Sequence, residues 1–320
     1  MIIFKASINK QIVINDTKVV CLEKAKKYDF EIVGSRLNEN VLVDICLKTI
    51  YINPDKRYIL KFENIDVIPF NSVLNNSDYG ILDMVNDKII KPFVYKEKKV
   101  VSFSLYGNKP MYCEGAIRNL KQYTEKYKDI SCYFYVRNDV NKETIDKIKD
   151  AGGIVIECID NEDWYGMFTR FLPCENEKEL YLSRDCDCRL INREVKAIEQ
   201  WLATDKKFHI IRDHPWHNTL ILGGMWGLKN MCIDNLRFQI MYWCLEYIKL
   251  NEKKQKGPDQ YFLKNLYRLV KNDIYVNDEF FEYETEKYKI NIERNNKEYI
   301  GEAYDENDNY DIDLRNKINT

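Results

Sequence analysis

The chain has 320 residues, with 49 lysines and arginines against 51 aspartates and glutamates and a formal net charge of −2. Hydrophobic residues make up 45% and charged residues 31%, enough apolar content for buried cores and too much for wholesale disorder. The charge balance singles out no nucleic-acid polyanion as the main partner, and no apolar run reaches the ~18 residues of a membrane span.

The opening Met1-Ile2-Ile3-Phe4-Lys5 turns polar at once and lacks the features of a secretory signal. A soluble, cytoplasmic protein is expected. The ten cysteines are spread over the whole chain, and Cys186-x-Cys188 has no second pair to complete a zinc site. They read as small buried apolar residues in a reducing compartment.

Residues 1–97 predict a β-rich module. Short Val-, Ile-, Tyr- and Phe-rich runs at Gln11–Asn15, Phe30–Val33, Val41–Ile52, Arg57–Phe62 and Ile65–Phe70 alternate with polar turns, as in an antiparallel sheet or sandwich. The charged Lys96–Lys99 stretch suits a connector to a second domain over 98–320. There Val100–Leu105 predicts a buried strand, Met111–Lys126 a helix, Ser131–Val136 a strand, Lys142–Ala151 a helix stopped by Gly152-Gly153, and Ile154–Ile159 a third strand. This alternation predicts an α/β fold with a doubly wound parallel sheet, whose ligands bind beyond the carboxyl ends of the strands. No G-x-G-x-x-G and no Walker A lysine loop follows the first strand, which removes the main support for dinucleotide or P-loop chemistry. Beyond Asp259 the chain is strongly polar, and a closing strand or helix followed by a partly flexible tail is expected.

The chemistry centres on Glu179–Arg189. A short apolar strand runs into Asp185-Cys186-Asp187, and Asn192-Arg193-Glu194 then opens a helix. Residues two apart on an extended backbone point to one side, so Asp185 and Asp187 can converge on a divalent cation. Hard oxygen ligands suit Mg²⁺ or Mn²⁺, ions that also bind diphosphates. A second Asp-x-Asp, Asp311/Asp313, sits in the polar tail and reads as a solvated charge run.

Several segments, in consistent order from about Val100 to the tail, resemble a family of glycosyltransferases with the GT-A fold found in bacteria and large DNA viruses. They include Phe103-Ser104-Leu105-Tyr106-Gly107, Glu114–Asn119, Ser183–Arg189, Arg193-Glu194, His209–His217, Leu222–Gly227 and Gly257–Leu263. The resemblance does not extend to the first ninety-odd residues. It implies a sugar-nucleotide donor, a divalent metal (Mn²⁺ or Mg²⁺) and transfer to a glycan or other hydroxyl acceptor, in the cytoplasm of a bacterium or of a host cell.

The same resemblance implies roles for individual residues. Ser104 and Tyr106 would meet the nucleoside, and Arg118, Arg170 and Arg184 are donor-binding candidates. Thr169 stands where the family more often has tryptophan. Leu222-Gly223-Gly224 resembles the sugar-binding segment, where missing side chains let the backbone approach a ligand. Asp259 and Gln260 resemble an Asp-Gln pair beneath the donor sugar of retaining enzymes. An inverting enzyme would instead need a carboxylate base, for which Asp213 is the nominee; alternatively it holds Arg212 or a histidine. The third metal ligand would be Asn277, Asp278, a histidine or water.

The three histidines of the chain, His209, His214 and His217, lie within nine residues. Their spacing resembles a zinc pattern only loosely. His214 and His217 are expected to line the acceptor or sugar pocket, with His209 as a packing residue. Trp216 and Trp226 offer apolar faces for a sugar, or core packing. Two other readings stand beside the transferase: a nucleotidyltransferase, which usually opens with a glycine-rich basic loop missing here, and an inactive glycan-binding module.

Overall fold

The computed structural model describes residues 95–158, 166–233 and 257–318 in full, Leu236 and Ile240, and the backbone of six strands before residue 95. The chain divides into two compact units, Met1–Asn86 with Arg237–Tyr242, and Asp87–Leu236 with Trp243–Thr320.

In the first unit the strands are β1 (Ile2–Lys5), β2 (Gln11–Ile14), β3 (Thr17–Cys21), β4 (Val41–Asp44), β5 (Thr49–Ile52) and β6 (Arg57–Leu60). β1 pairs with β6, and a four-stranded sheet has the order β2-β3-β5-β4. The expected run Val41–Ile52 is two strands of a hairpin, and Thr17–Cys21 is a strand missed from sequence. One pairing departs from the antiparallel expectation: β3 and β5 run parallel, because the β4–β5 hairpin returns β5 alongside β3. The strands expected at 30–33 and 65–70 lie outside the described residues.

The second unit is a mixed α/β layer structure. In chain order it contains β7 (Lys99–Leu105), α1 (Pro110–Lys126), β8 (Ser131–Val136), α2 (Lys142–Asp150), β9 (Ile154–Glu157) and the single turn α3 (Gly166–Thr169). β10 (Leu180–Arg184), α4 (Asn192–Leu202), β11 (Phe208–Arg212), β12 (Trp226–Leu228), α5 (Pro258–Val270), β13 (Ile274–Asp278) and the short α6 (Ile312–Arg315) follow. The seven strands form one sheet of order β13-β11-β12-β10-β7-β8-β9. β7, β8, β9 and β10 are parallel, and β12 alone runs against its neighbours β10 and β11. The sequence predicts the parallel half and does not reveal β12, a three-residue strand too short for a periodic signal.

β7 and β10 are buried almost throughout because helices cover the sheet, so their sequences are near-continuous apolar runs. Phe103, Leu120, Tyr123, Phe134, Ile198 and Trp201 knit the core between sheet and helices. Asn141 caps α2, its side chain accepting from the Thr144 amide at 2.8 Å. Cys113, Cys132, Cys174, Cys186 and Cys188 are buried free thiols, in keeping with the apolar reading. No helix among the described residues is long and apolar enough to cross a membrane.

The C-terminal segment differs from the flexible tail expected. Tyr304 and Tyr310 form a β-bridge, and Asp311 caps α6 by accepting from the amides of Asp313 and Leu314. Glu302 is buried in a bidentate pair with Arg315 at 2.6 and 2.7 Å. The acidic residues of this stretch cap and pair locally, which a count of charges does not reveal.

Candidate active site

A pocket of about 280 Å³ opens at the carboxyl ends of β7 and β10, the position that a doubly wound sheet offers to ligands. Asp185, Asp187, Asp259 and Gln260 all line it, with Arg170 and Gly223 between them. Residues from four separated segments thus meet where strand β10 ends, where α3 ends, where β11 returns to β12, and where α5 begins.

The Asp-x-Asp loop is held from behind by α1. A Cβ at Gly115 would collide with the Cys186 carbonyl, so only glycine lets the helix come this close. One turn on, Asn119 Nδ2 donates to the carbonyls of Gly115, Cys186 and Cys188 at 2.9, 3.0 and 2.8 Å. The segment Glu114–Asn119, matched in the resemblance, therefore fixes the loop. Asn119 was missed from sequence, since a lone asparagine in a helix carries no signal of its long-range partners.

From the other side, the Tyr304 amide donates to the Asp187 carbonyl at 2.8 Å. Arg189 Nε reaches Asp308 at 2.9 Å while its guanidinium lies over the Tyr304 ring. Burial, and then the neighbouring Asp185 charge, push the Asp187 carboxyl up to about 6. Two hard carboxylates, one of them pushed toward its neutral form when no cation sits beside it, fit a divalent ion. Among the described residues no third His, Cys, Asp or Glu joins them as a ligand.

Arg170 is the cation of the pocket. Its Nη1 pairs with Asp185 and its Nη2 with Asp259 Oδ2 at 3.1 Å. Burial raises the Asp259 carboxyl, and Arg170 opposes that shift. The two glycines pack against these carboxylates: a Cβ at Gly223 would collide with Arg170 and Asp259, and one at Gly224 with Asp185. Gly257, at φ 78, turns the chain so that Pro258 starts α5 and Asp259 faces the pocket from its first turn.

Ser104 lies at the pocket edge and is engaged by protein, with Oγ 3.0 Å from Thr169 Oγ1 and accepting from the Arg170 amide at 3.2 Å. Thr169, the departure from the family pattern, thereby ties α3 to β7. Tyr106 lines the pocket against the Gly166 backbone, and burial raises its phenol. Tyr112, whose phenol burial pushes up to about 12, and Met225 also line it and were missed.

Several expected site residues are placed elsewhere. Arg118 pairs with Asp308 and donates to the Glu306 carbonyl at 2.7 Å, pinning the C-terminal segment instead of facing a donor. Arg184 is buried against Glu194 at 2.5 Å and donates to the Ser183 and Trp226 carbonyls, so it braces β10 from within. Asp213, nominated as a base, is 1% exposed and accepts from Arg193, Arg294 and the Ile300 amide. With both oxygens committed to two guanidiniums it has no free lone pair for a substrate proton; the carboxylate holds neither Arg212 nor a histidine, while its backbone N–H does hold one, donating to His217 Nδ1 at 3.0 Å. Asn277 faces His209, and Asp278 is held by Arg212 and the amides of Phe280 and Phe281, so neither turns toward the Asp-x-Asp pair.

The histidines divide the same way. His209 is buried, Nε2 lying 2.8 Å from Asn277 Oδ1, and burial pushes its pKa down to about 3. His214, expected in the pocket, sits behind it with Nε2 2.9 Å from the Leu314 carbonyl and its ring 4.3 Å from that of Tyr299. His217 does line the pocket. Trp226 is wholly buried, whereas Trp216 is 65% exposed.

No protein-family model matches the chain, and no curated protein matches it in sequence. Solved structures similar to it include a galactosyltransferase, LgtC, in complex with donor and acceptor sugar analogues, at 13% identity over 56% of this chain and 73% of that one, with a TM-score of 0.39. A 4-diphosphocytidyl-2C-methyl-D-erythritol synthase from Anaerococcus prevotii is similar at 14% identity over 62% and 94% of the two chains, with a TM-score of 0.35. A glucosyl-3-phosphoglycerate synthase from Mycobacterium tuberculosis, crystallised with Mn²⁺, UDP-glucose and glycerol 3-phosphate, is similar at 9% identity over 54% and 80%, with a TM-score of 0.31.

Proposed function

We propose that this chain is a GT-A-like, metal-dependent glycosyltransferase that moves a sugar from a nucleotide-diphosphate-sugar donor to a glycan or other hydroxyl acceptor. The observation that carries this reading is the meeting of Asp185 and Asp187 with Asp259, Gln260 and Gly223 in one pocket at the carboxyl ends of parallel strands.

Asp185 and Asp187 would hold Mn²⁺ or Mg²⁺, which neutralises charge on a departing nucleoside diphosphate. Tyr106 and Tyr112, beyond the end of β7, offer aromatic faces for the base. Arg170 holds Asp259 and Asp185 in register and supplies positive charge at the diphosphate position. Gly223 lets Arg170 and Asp259 pack against the backbone at the pocket wall, and Asp259 and Gln260 bond the donor sugar's hydroxyls from the start of α5. With Asp213 locked in ion pairs, the pocket lacks the base nominated for inversion.

Thermal-shift measurements with UDP-, GDP- and TDP-sugars, with and without Mn²⁺, test the reading, because a ligand of the native state raises the melting temperature by mass action. One sugar nucleotide is expected to stabilise the protein only with metal, and Asp187→Ala to abolish the effect. Binding without metal, or none across the donor panel, would overturn it. Released nucleoside diphosphate distinguishes a transferase from a glycan-binding module, and released pyrophosphate would identify a nucleotidyltransferase.

A further inference from the structure

His217 enters the pocket in a fixed chemical state. Its Nδ1 accepts the backbone N–H of Asp213 at 3.0 Å. That amide can only donate, so the lone pair of Nδ1 is used and the neutral ring must carry its proton on Nε2. Asp213 is itself immobilised by Arg193, Arg294 and the Ile300 amide, which sets the amide's direction rigidly. The rings of Tyr299 and His214 flank the imidazole, with centroids 5.8 and 5.6 Å away. The residue is 9% exposed, and that exposure is to the pocket. Among the described residues no acceptor meets Nε2. The N–H at Nε2 opens on the pocket, where an acceptor oxygen of an occupant can take the place of water.

Position says which part of the occupant this is. Ser104 and Tyr106 lie at the end of β7, and Asp185 and Asp187 at the end of the adjacent β10. His217 follows β11, which stands two places beyond β10 on the side away from β7. The sheet therefore sets the histidine at the end of the pocket remote from the nucleoside side.

We propose that His217 is a neutral hydrogen-bond donor that presents Nε2–H to a carbohydrate hydroxyl oxygen, and is neither a metal ligand nor a general base. This rests on the sugar-transfer reading for the identity of the occupant, while the donor state rests on the Asp213 contact alone. A metal would need the Nε2 lone pair, which the proton occupies. The hydroxyl belongs either to the donor's sugar or to the acceptor.

With three histidines in the chain, nitrogen-15 NMR of the full-length, histidine-labelled protein resolves each ring. His217 is expected as the Nε2–H tautomer at neutral pH, unchanged by Mg²⁺. UDP or GDP with Mg²⁺ should leave its Nε2 signal in place. Movement with UDP-glucose, UDP-galactose or GDP-mannose would assign the donor sugar. Movement only when methyl glucoside, galactoside or mannoside is added to UDP and Mg²⁺ would assign the acceptor. His217→Gln, which keeps an N–H at similar reach, should retain sugar affinity within about threefold, and His217→Leu should lose about tenfold. An Nδ1–H tautomer, loss of the Nε2 proton on adding Mg²⁺, or no response to any sugar would overturn the inference. A response to glycosides with none to any nucleotide would overturn the nucleotide-sugar reading and leave the donor role standing.

Discussion

The backbone N–H of Tyr304 donates to the carbonyl oxygen of Asp187 at 2.8 Å, so the polar C-terminal segment is part of the Asp-x-Asp loop. Asp308 extends the attachment by pairing with both Arg118 and Arg189. Because Asp308 is half exposed, Asp308→Ala should change folding stability by no more than about 1 kcal/mol. The loop it steadies carries the two carboxylates, so Mn²⁺ affinity should fall by about tenfold. Urea unfolding and metal titration of the same variant check both; an unchanged metal affinity would show that the segment merely lies alongside.

Gly224 and Asp185 are close enough that any Cβ displaces the carboxylate. Because the added Cβ would also meet the Asp185 backbone nitrogen, Gly224→Ala should shift the start of the Asp-x-Asp loop, lowering both stability and Mn²⁺-dependent donor binding, the latter by at least about tenfold. Calorimetric titration with the donor found by thermal shift measures it. Wild-type affinity in the variant would mean that Asp185 has another usable position.

Glu194 is buried between Arg184 Nε, at 2.5 Å, and the Tyr123 hydroxyl, at 2.7 Å. Removing one partner of a buried ion pair leaves the other charge uncompensated, so Glu194→Ala should destabilise the protein by about 3–5 kcal/mol. Denaturant unfolding gives the value, and a loss below 1 kcal/mol would place Arg184 in contact with water.

Burial holds His209 and His217 neutral, with pKa values pushed down to about 3 from an ordinary 6.5. Between those values the unfolded chain binds protons that the native state refuses, so stability falls as pH drops below about 6.5. Each ring contributes a slope of about 1.4 kcal/mol per pH unit in that window. His209→Gln should flatten the dependence of the urea midpoint between pH 6.5 and 4, and an unchanged slope would contradict the burial assignment.

Trp216 is 65% exposed and Trp226 is wholly buried against Phe171, Tyr181 and Phe208. Trp226→Ala should cost about 3–5 kcal/mol of stability. Trp216→Ala should leave the melting temperature within a degree or two and raise the KM for a glycan acceptor once one is found. Equal effects on stability would remove the distinction.

Local pattern made much of this legible. The runs Val100–Leu105 and Ser131–Val136 are apolar enough to be strands buried on both faces, and they are β7 and β8. Asp-x-Asp after an apolar strand pointed to the pocket because period-two geometry and a strand end are both local facts. The same locality misled elsewhere. Arg118, Arg184 and Asp213 sit in motif segments beside site residues, yet each points to a partner that only folding supplies.

By itself, then, the sequence determined the parallel α/β core and the placing of Asp185 and Asp187 together just past a strand end, since periodicity and spacing act over a few residues. Tertiary structure alone decided which charges are spent. Asp213 and Arg193 are 20 residues apart, and Asp187 meets Tyr304 across a far longer stretch of chain. Hydrogen bonds and ion pairs across such separations are set by the packing of whole elements. They commit the Asp213 carboxylate to two arginines, seat its backbone N–H on His217 and tie the polar tail to the Asp-x-Asp loop.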